Sequence, residues 1–213
     1  MINEFKLSEL LNARFCHDLA GPIGAISNGV EFLTNENEDI KKKAFHILEL
    51  GSKQALLRLQ FYRNIYGYNK PDTDASLDQT KEVITNYLES NKIPFHWEFE
   101  NQEVVNDISA LQAKIIANII NIASLAVIKK GKIDCIIAKK DNNYIVKIKA
   151  SGELIKFDQD NHYILTKGAK EEELTTKNIH LYYSSRLIKT SNVKLNITTQ
   201  DNELIFDLIF NSM

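Results

Sequence analysis

The chain has 213 residues and a mass of 24.4 kDa, with 44% hydrophobic, 25% charged and 9% aromatic residues. This balance describes one or two ordinary globular domains and excludes a disordered or fibrous chain. Lys and Arg total 26 against 28 for Asp and Glu, a formal charge of -2, which is not the basic footprint of a protein that lives on nucleic acid. The start has no apolar stretch of signal-peptide length, and no window approaches the roughly 18 apolar residues of a spanning helix. Cys16 and Cys135 are too few for a disulfide framework or a zinc cluster. A cytoplasmic protein with neither membrane nor nucleic-acid partners is expected.

Leu7, Leu10, Leu11, Phe15, Leu19, Ile26, Val30 and Leu33 follow the three-and-four spacing of an amphipathic helix from Asn3 to Leu33. Thr34 to Glu38 supplies a polar turn, after which Ile40, Ala44, Ile47, Leu48, Gly51, Ala55, Leu59, Tyr62 and Tyr66 repeat the period. Residues 1–70 therefore read as a helical hairpin whose arms are each about thirty residues and on the order of 45 Å long. Two helices leave one side of their apolar seam open to water, so a second copy is expected to complete a homodimeric four-helix bundle. The segment Asn69 to Ala75, with Pro71 and no apolar periodicity, marks the boundary to a second domain over 75–213.

In that domain the patterns predict a helix (Ser76 to Ser90), a strand (Ile93 to Phe99) and a strongly apolar helix (Ser109 to Ile128). Alternating strands follow at Ile133 to Ala138 and Tyr144 to Ile148, turning at Asp141 to Asn143. A further helix over about Thr175 to Lys189 leads to strands at Val193 to Thr198 and Glu203 to Phe210. The order suits an α+β layer with helices on one face of a mixed sheet. Phe95, Trp97 and Phe99 alternate onto one face as core, and Tyr182 and Tyr183 read as packing residues.

The segment Cys16-His17-Asp18-Leu19-Ala20-Gly21-Pro22-Ile23-Gly24-Ala25 breaks the local rules of an otherwise good helix, with a proline and two glycines in its interior. Pro22 lacks an N–H, so it frees the carbonyl of Asp18 and is expected to bend the helix just after His17. Steps of 100° put His17 roughly 140° from the centre of the apolar stripe and Asp18 toward the seam. The residues running with His17 are Ala13, Ala20, Gly21, Gly24 and Asn28, all but the last nearly bare of side chain, a face that a macromolecule can approach closely. Arg14 is assigned to the same docking face.

His17, Asp18 and Pro22 resemble the phosphoacceptor box of histidine kinases, in which His, an acidic residue, three further residues and Pro lie on the first helix of a dimeric hairpin. The wider run from Phe15 to Gly29 is more specifically similar to the ChpT family of bacterial histidine phosphotransferases. That resemblance implies an α/β second domain related to, but degenerated from, a kinase ATP-binding domain. It further implies that His17 is the phosphoacceptor with Asp18 supporting it. A phosphoryl group would arrive from the receiver domain of a hybrid histidine kinase and leave to the receiver domain of a response regulator, of the CtrA-like cell-cycle kind. Neutral imidazole is a competent nucleophile near pH 7, and Mg²⁺ is expected from the partner receiver rather than from this chain.

The kinase nucleotide motifs are eroded. Asn118 stands where a nucleotide-binding asparagine helix would open, but the second required amide position holds Ile122. Ala150 replaces the adenine-binding carboxylate, and no glycine occurs around Asn178 to Leu181, where a Gly-rich lid would sit. No intrinsically bound cofactor or metal is therefore expected. His46, His96, His162 and His180 lack metal-ligand spacing and read as ordinary surface or strand histidines. Two competing readings are an autophosphorylating kinase with an unusual ATP site and a non-catalytic dimeric interaction module.

Overall fold

The computed structural model describes residues 3–67, 77–100, 108–141 and 143–211. Two helices, α1 (Glu4–Phe32) and α2 (Glu38–Tyr66), form the expected antiparallel hairpin. Asn3 and Asn37 cap their N-termini by accepting from the backbone N–H of Phe5 and Asp39, and so satisfy donors that a helix start leaves unpaired. The two arms touch most closely at glycines. A β-carbon on Gly29 would stand 2.8 Å from Leu48 Cγ, and one on Gly51 would stand 3.0 Å from Ile26 Cγ1 and 3.1 Å from the Pro22 carbonyl oxygen. Helix α1 runs unbroken through Pro22, which is buried in this seam.

The proposed linker Asn69 to Ala75 lies outside the described residues, as do Ser76 and the turn residue Asn142. Beyond the linker the chain continues as α3 (Leu77–Ser90), β1 (Phe95–Phe99), α4 (Ala110–Ala126), β2 (Val127–Lys140), β3 (Asn143–Ile155), α5 (Gln159–Lys167), a 3₁₀ turn (Glu171–Glu173), α6 (Ile179–Thr190), β4 (Lys194–Gln200) and β5 (Glu203–Asn211). The sheet order is β1-β2-β3-β5-β4. Strand β1 runs parallel to β2, with α4 as the crossover, and every other pairing is antiparallel. One face of the sheet is apolar at every second residue: Ile133, Cys135 and Ile137 on β2, Val146, Ile148 and Ala150 on β3, and Leu204, Phe206, Leu208 and Phe210 on β5 are all buried. Helix α4 lies on that face and is buried from Ile115 to Ser124 on all sides, because α2, α3 and α6 pack against its outer surface.

Four elements differ from expectation. Helix α5 is absent from the sequence reading because Ile164 and Leu165 are its only buried residues, too few to show a period. Helix α6 starts at Ile179 rather than Thr175. Asn178 accepts from the Thr175 N–H (2.8 Å) and donates to the Glu173 carbonyl (2.9 Å), a local turn that competes with helix until the next residue. Strands β2 and β3 are longer than their apolar alternation, since Val127–Lys132 is an arm solvated beyond the core that pairs with β3 up to Ile155. Among the described residues no helix is long and apolar enough to cross a membrane.

The lower half of the hairpin is closed by the chain's own second domain. Phe61 stacks on Tyr87 with ring centroids 3.8 Å apart and planes within 3°. Asn118 donates to the Ile65 carbonyl (3.1 Å) and Lys114 to the Gly67 carbonyl (2.7 Å). Above this junction Ile23, Val30 and Leu56 are each 54% exposed and Phe45 64%. These apolar side chains of the upper half are not covered by the second domain.

Candidate functional site

One residue step on α1 separates an outward position from an inward one. The His17 side chain is 86% exposed, whereas Asp18 is 21% exposed and turned toward α2. His17 Nδ1 lies 3.1 Å from Asp18 Oδ1. A carboxylate can only accept, so this contact puts the imidazole proton on Nδ1 and leaves the lone pair on Nε2, facing solvent.

Asp18 is itself held at three further points. The Tyr62 hydroxyl donates to Oδ2. Arg14 Nε stands 3.6 Å from the same oxygen, an ion pair too long for a hydrogen bond. The Asp18 carbonyl, which Pro22 leaves without its helical donor, accepts from Arg58 Nη1. The rule-breaking proline thus creates an acceptor that α2 fills with a guanidinium. Burial, then Tyr87 and the Asp18 carboxylate, push the Tyr62 phenol well above the ordinary tyrosine range, so it stays a donor. Sequence reasoning assigned Tyr62 to the hairpin core and did not single out Arg58. In the folded hairpin Gly29 meets Leu48 and Gly51 meets Ile26, a register that sets residues 58–62 opposite Asp18 and that the sequence alone does not display.

Ala20, Gly21 and Asn28 are exposed and Gly24 is half-buried on the side of α1 that carries His17. A β-carbon added to Gly21 or Gly24 would meet nothing within 4 Å, so this face is open and flat. Arg14 is a correction. Its side chain is only 14% exposed, and Nη1 donates to the Thr176 and Lys177 carbonyls at 3.0 and 3.3 Å. It ties α1 to the loop ahead of α6 instead of standing on the exposed face beside His17.

The residues that a nucleotide would require do not fit one. Asn118 is 1% exposed, and its amide nitrogen is spent on the Ile65 and Lys114 carbonyls (3.1 and 2.8 Å). Ala150 is fully buried on β3 and offers adenine no acceptor. His180 is a second correction: it is 7% exposed on α6, not a surface or strand residue. Burial, with the Arg14 guanidinium adding to it, holds its imidazole down at about 3, so the ring is neutral. Its Nδ1 has no partner.

The chain is similar to known proteins in sequence and in fold. The protein phosphotransferase ChpT of Brucella abortus (strain 2308) is 23% identical over 206 residues, covering 96% of either chain. A solved bacterial phosphotransferase superposes with a TM-score of 0.84 at 24% identity, covering 98% of both chains. The catalytic domain of the histidine kinase ThkA, in a nucleotide-free form, matches 64% of this chain and 89% of its own at a TM-score of 0.50 and 14% identity, which relates the second domain to that fold. Residues 77–203 match the model of the histidine phosphotransferase C-terminal domain, more than half of the chain, and the protein belongs to the histidine phosphotransferase family.

Proposed function

We propose that the chain is the histidine carrier of a phosphorelay, with His17 Nε2 as the atom that takes and gives up the phosphoryl group. The observation that carries this reading is the pairing of an 86% exposed imidazole with a carboxylate held from behind. In the forward step the Nε2 lone pair attacks the phosphorus of a receiver aspartyl phosphate. The P–O bond to the aspartate breaks and an N–P bond forms. The ring becomes an imidazolium whose remaining proton sits on Nδ1, where the Asp18 carboxylate balances the new positive charge. The return step to a second receiver reverses these movements. Asp18 is accordingly a supporting residue that fixes tautomer and ring orientation.

Ala20, Gly21, Gly24 and Asn28 form the surface on which a receiver seats, close enough for in-line transfer. The donor is the receiver of a hybrid histidine kinase and the acceptor that of a response regulator of the CtrA-like kind. The receiver brings the Mg²⁺. The exposed apolar side chains of the upper hairpin, Ile23, Val30, Phe45 and Leu56, support a homodimer closed through that half, since a patch of this kind is unusual on a monomer. The family's phosphotransferase name and the burial of Asn118, whose amide nitrogen is committed to two carbonyls, both favour relay over autophosphorylation.

The test is transfer of labelled phosphate from a phosphorylated hybrid-kinase receiver, with Mg²⁺ and no free ATP, to wild type and to His17→Ala. Acid-labile label on wild type alone is expected. No label on either protein, from receivers shown to be active donors, would leave the non-catalytic interaction module. Label from ATP without any partner would restore the kinase reading.

A further inference from the structure

A cleft of about 290 Å³ opens between α4, the segment after β3 and the start of α6. Its floor is apolar, made of Ile122, Leu125, Ala126, Phe157 and Leu181, and its polar lining is Arg14, Lys156, Asn161, Lys177 and His180. Three cations and no carboxylate line it. Neither Lys156 nor Lys177 forms an ion pair among the described residues, although acid–base pairs are frequent elsewhere on the surface. One buried nitrogen of the residues lining the cleft, His180 Nδ1, has no hydrogen-bond partner, whereas Arg14 Nε is turned to the Asp18 carboxylate. His180 is 93% buried and neutral, so its orphaned nitrogen is an unmet polar group in a cationic, half-apolar cleft. Buried polar atoms are rarely left unpaired unless something else satisfies them.

From this combination we infer that the cleft is a binding site for a compact organic phosphate, a monoester whose small apolar body lies on Ile122, Leu125 and Phe157 while its dianion meets Lys156, Lys177 and Arg14. The volume is at the lower end of what small-molecule sites occupy, so the ligand is compact, far smaller than a nucleoside triphosphate. The site lies apart from the imidazole of His17, but Arg14 belongs to both places, since its Nε faces Asp18 Oδ2 at 3.6 Å. Occupancy therefore reaches the candidate phosphoacceptor through one guanidinium. The binding itself requires no phosphoryl chemistry at His17 and can be tested even if that chemistry fails.

The test is titration of the full chain with phenyl phosphate as probe, followed by calorimetry and by the imidazole resonances of His180. Inorganic phosphate and phenol serve as single-feature controls. Saturable binding of phenyl phosphate with a shift at His180 is expected, with each control weaker by at least about fivefold, the equivalent of about 1 kcal/mol per missing feature. Lys156→Ala with Lys177→Ala should weaken binding by at least about fivefold. Both lysines are exposed, so the fold is not at risk. Lys42→Ala with Lys43→Ala, which removes the same charge from the far end of α2, should leave binding unchanged. Absence of saturable binding, equal loss in both double variants, or inorganic phosphate binding as well as phenyl phosphate would overturn the proposal.

Discussion

Removing a single oxygen from Tyr62 tests how the hairpin sets up the candidate site. Tyr62 is 5% exposed, and its hydroxyl carries the hydrogen bond to Asp18 Oδ2, because Arg14 Nε at 3.6 Å is beyond donor range. A hydrogen bond to a charged group contributes about 1.5–3 kcal/mol. With Asp18 one-fifth exposed, water replaces part of it, so Tyr62→Phe should destabilise by about 1.5 kcal/mol. For a chain of this size that lowers Tm by about 3–6 °C. The ring contacts with Phe15, Phe61 and Tyr66 survive the change, so the fold should persist. The freed carboxylate no longer fixes the Nδ1–H tautomer of His17, and a loss of about 1.4 kcal/mol in the transition state slows transfer about tenfold. The assay is rapid-quench phosphotransfer on wild type, Tyr62→Phe, Asp18→Asn and the double variant. If Tyr62 acts through Asp18, its substitution should change nothing further in the Asp18→Asn background. Wild-type rates in Tyr62→Phe, or rate effects that multiply in the double variant, would refute the reasoning.

Gly24→Arg should fold with Tm unchanged or raised, since its β-carbon meets nothing within 4 Å and glycine is the poorer helix former. It should cut transfer more than tenfold by holding the receiver off His17; transfer at the wild-type rate would move the docking face elsewhere. Asn118→Asp sets a carboxylate against the Ile65 and Lys114 carbonyls and should lose about 3 kcal/mol in urea unfolding, whereas a midpoint unchanged from wild type would remove this junction from the stability of the chain. The buried His180 gives an acid limb. Its folded value is depressed to about 3 from 6.5, so the unfolded chain binds the extra proton first. The group's contribution is present above pH 6.5 and is lost as pH falls toward 3, amounting to about 2 kcal/mol at pH 5. His180→Leu should flatten that limb in a pH series of unfolding midpoints, and an unaltered slope would show that the ring is not buried neutral.

Much of this architecture follows from periodicity alone. The hairpin arms, the apolar α4 and the alternating β2, β3 and β5 each bury a face that repeats at 3.6 or 2 residues, and that repeat is written locally. The same holds for His17 and Asp18, whose outward and inward placement is fixed by one 100° step on a helix. Tertiary structure alone decided what lies across from these residues. Arg14 is a polar residue next to an exposed face, and nothing in its neighbours along the chain announces that carbonyls 162 and 163 positions away will draw its guanidinium inward. His180 sits in a helix whose first turn is covered only because α1, α4 and the segment after β3 converge on it. Short α5 and the solvated arm of β2 escaped notice because they bury too little to leave a period. Sequence records which face of an element is apolar, since burial selects residues one by one; which polar groups meet across elements depends on packing angles and register, which no single segment encodes.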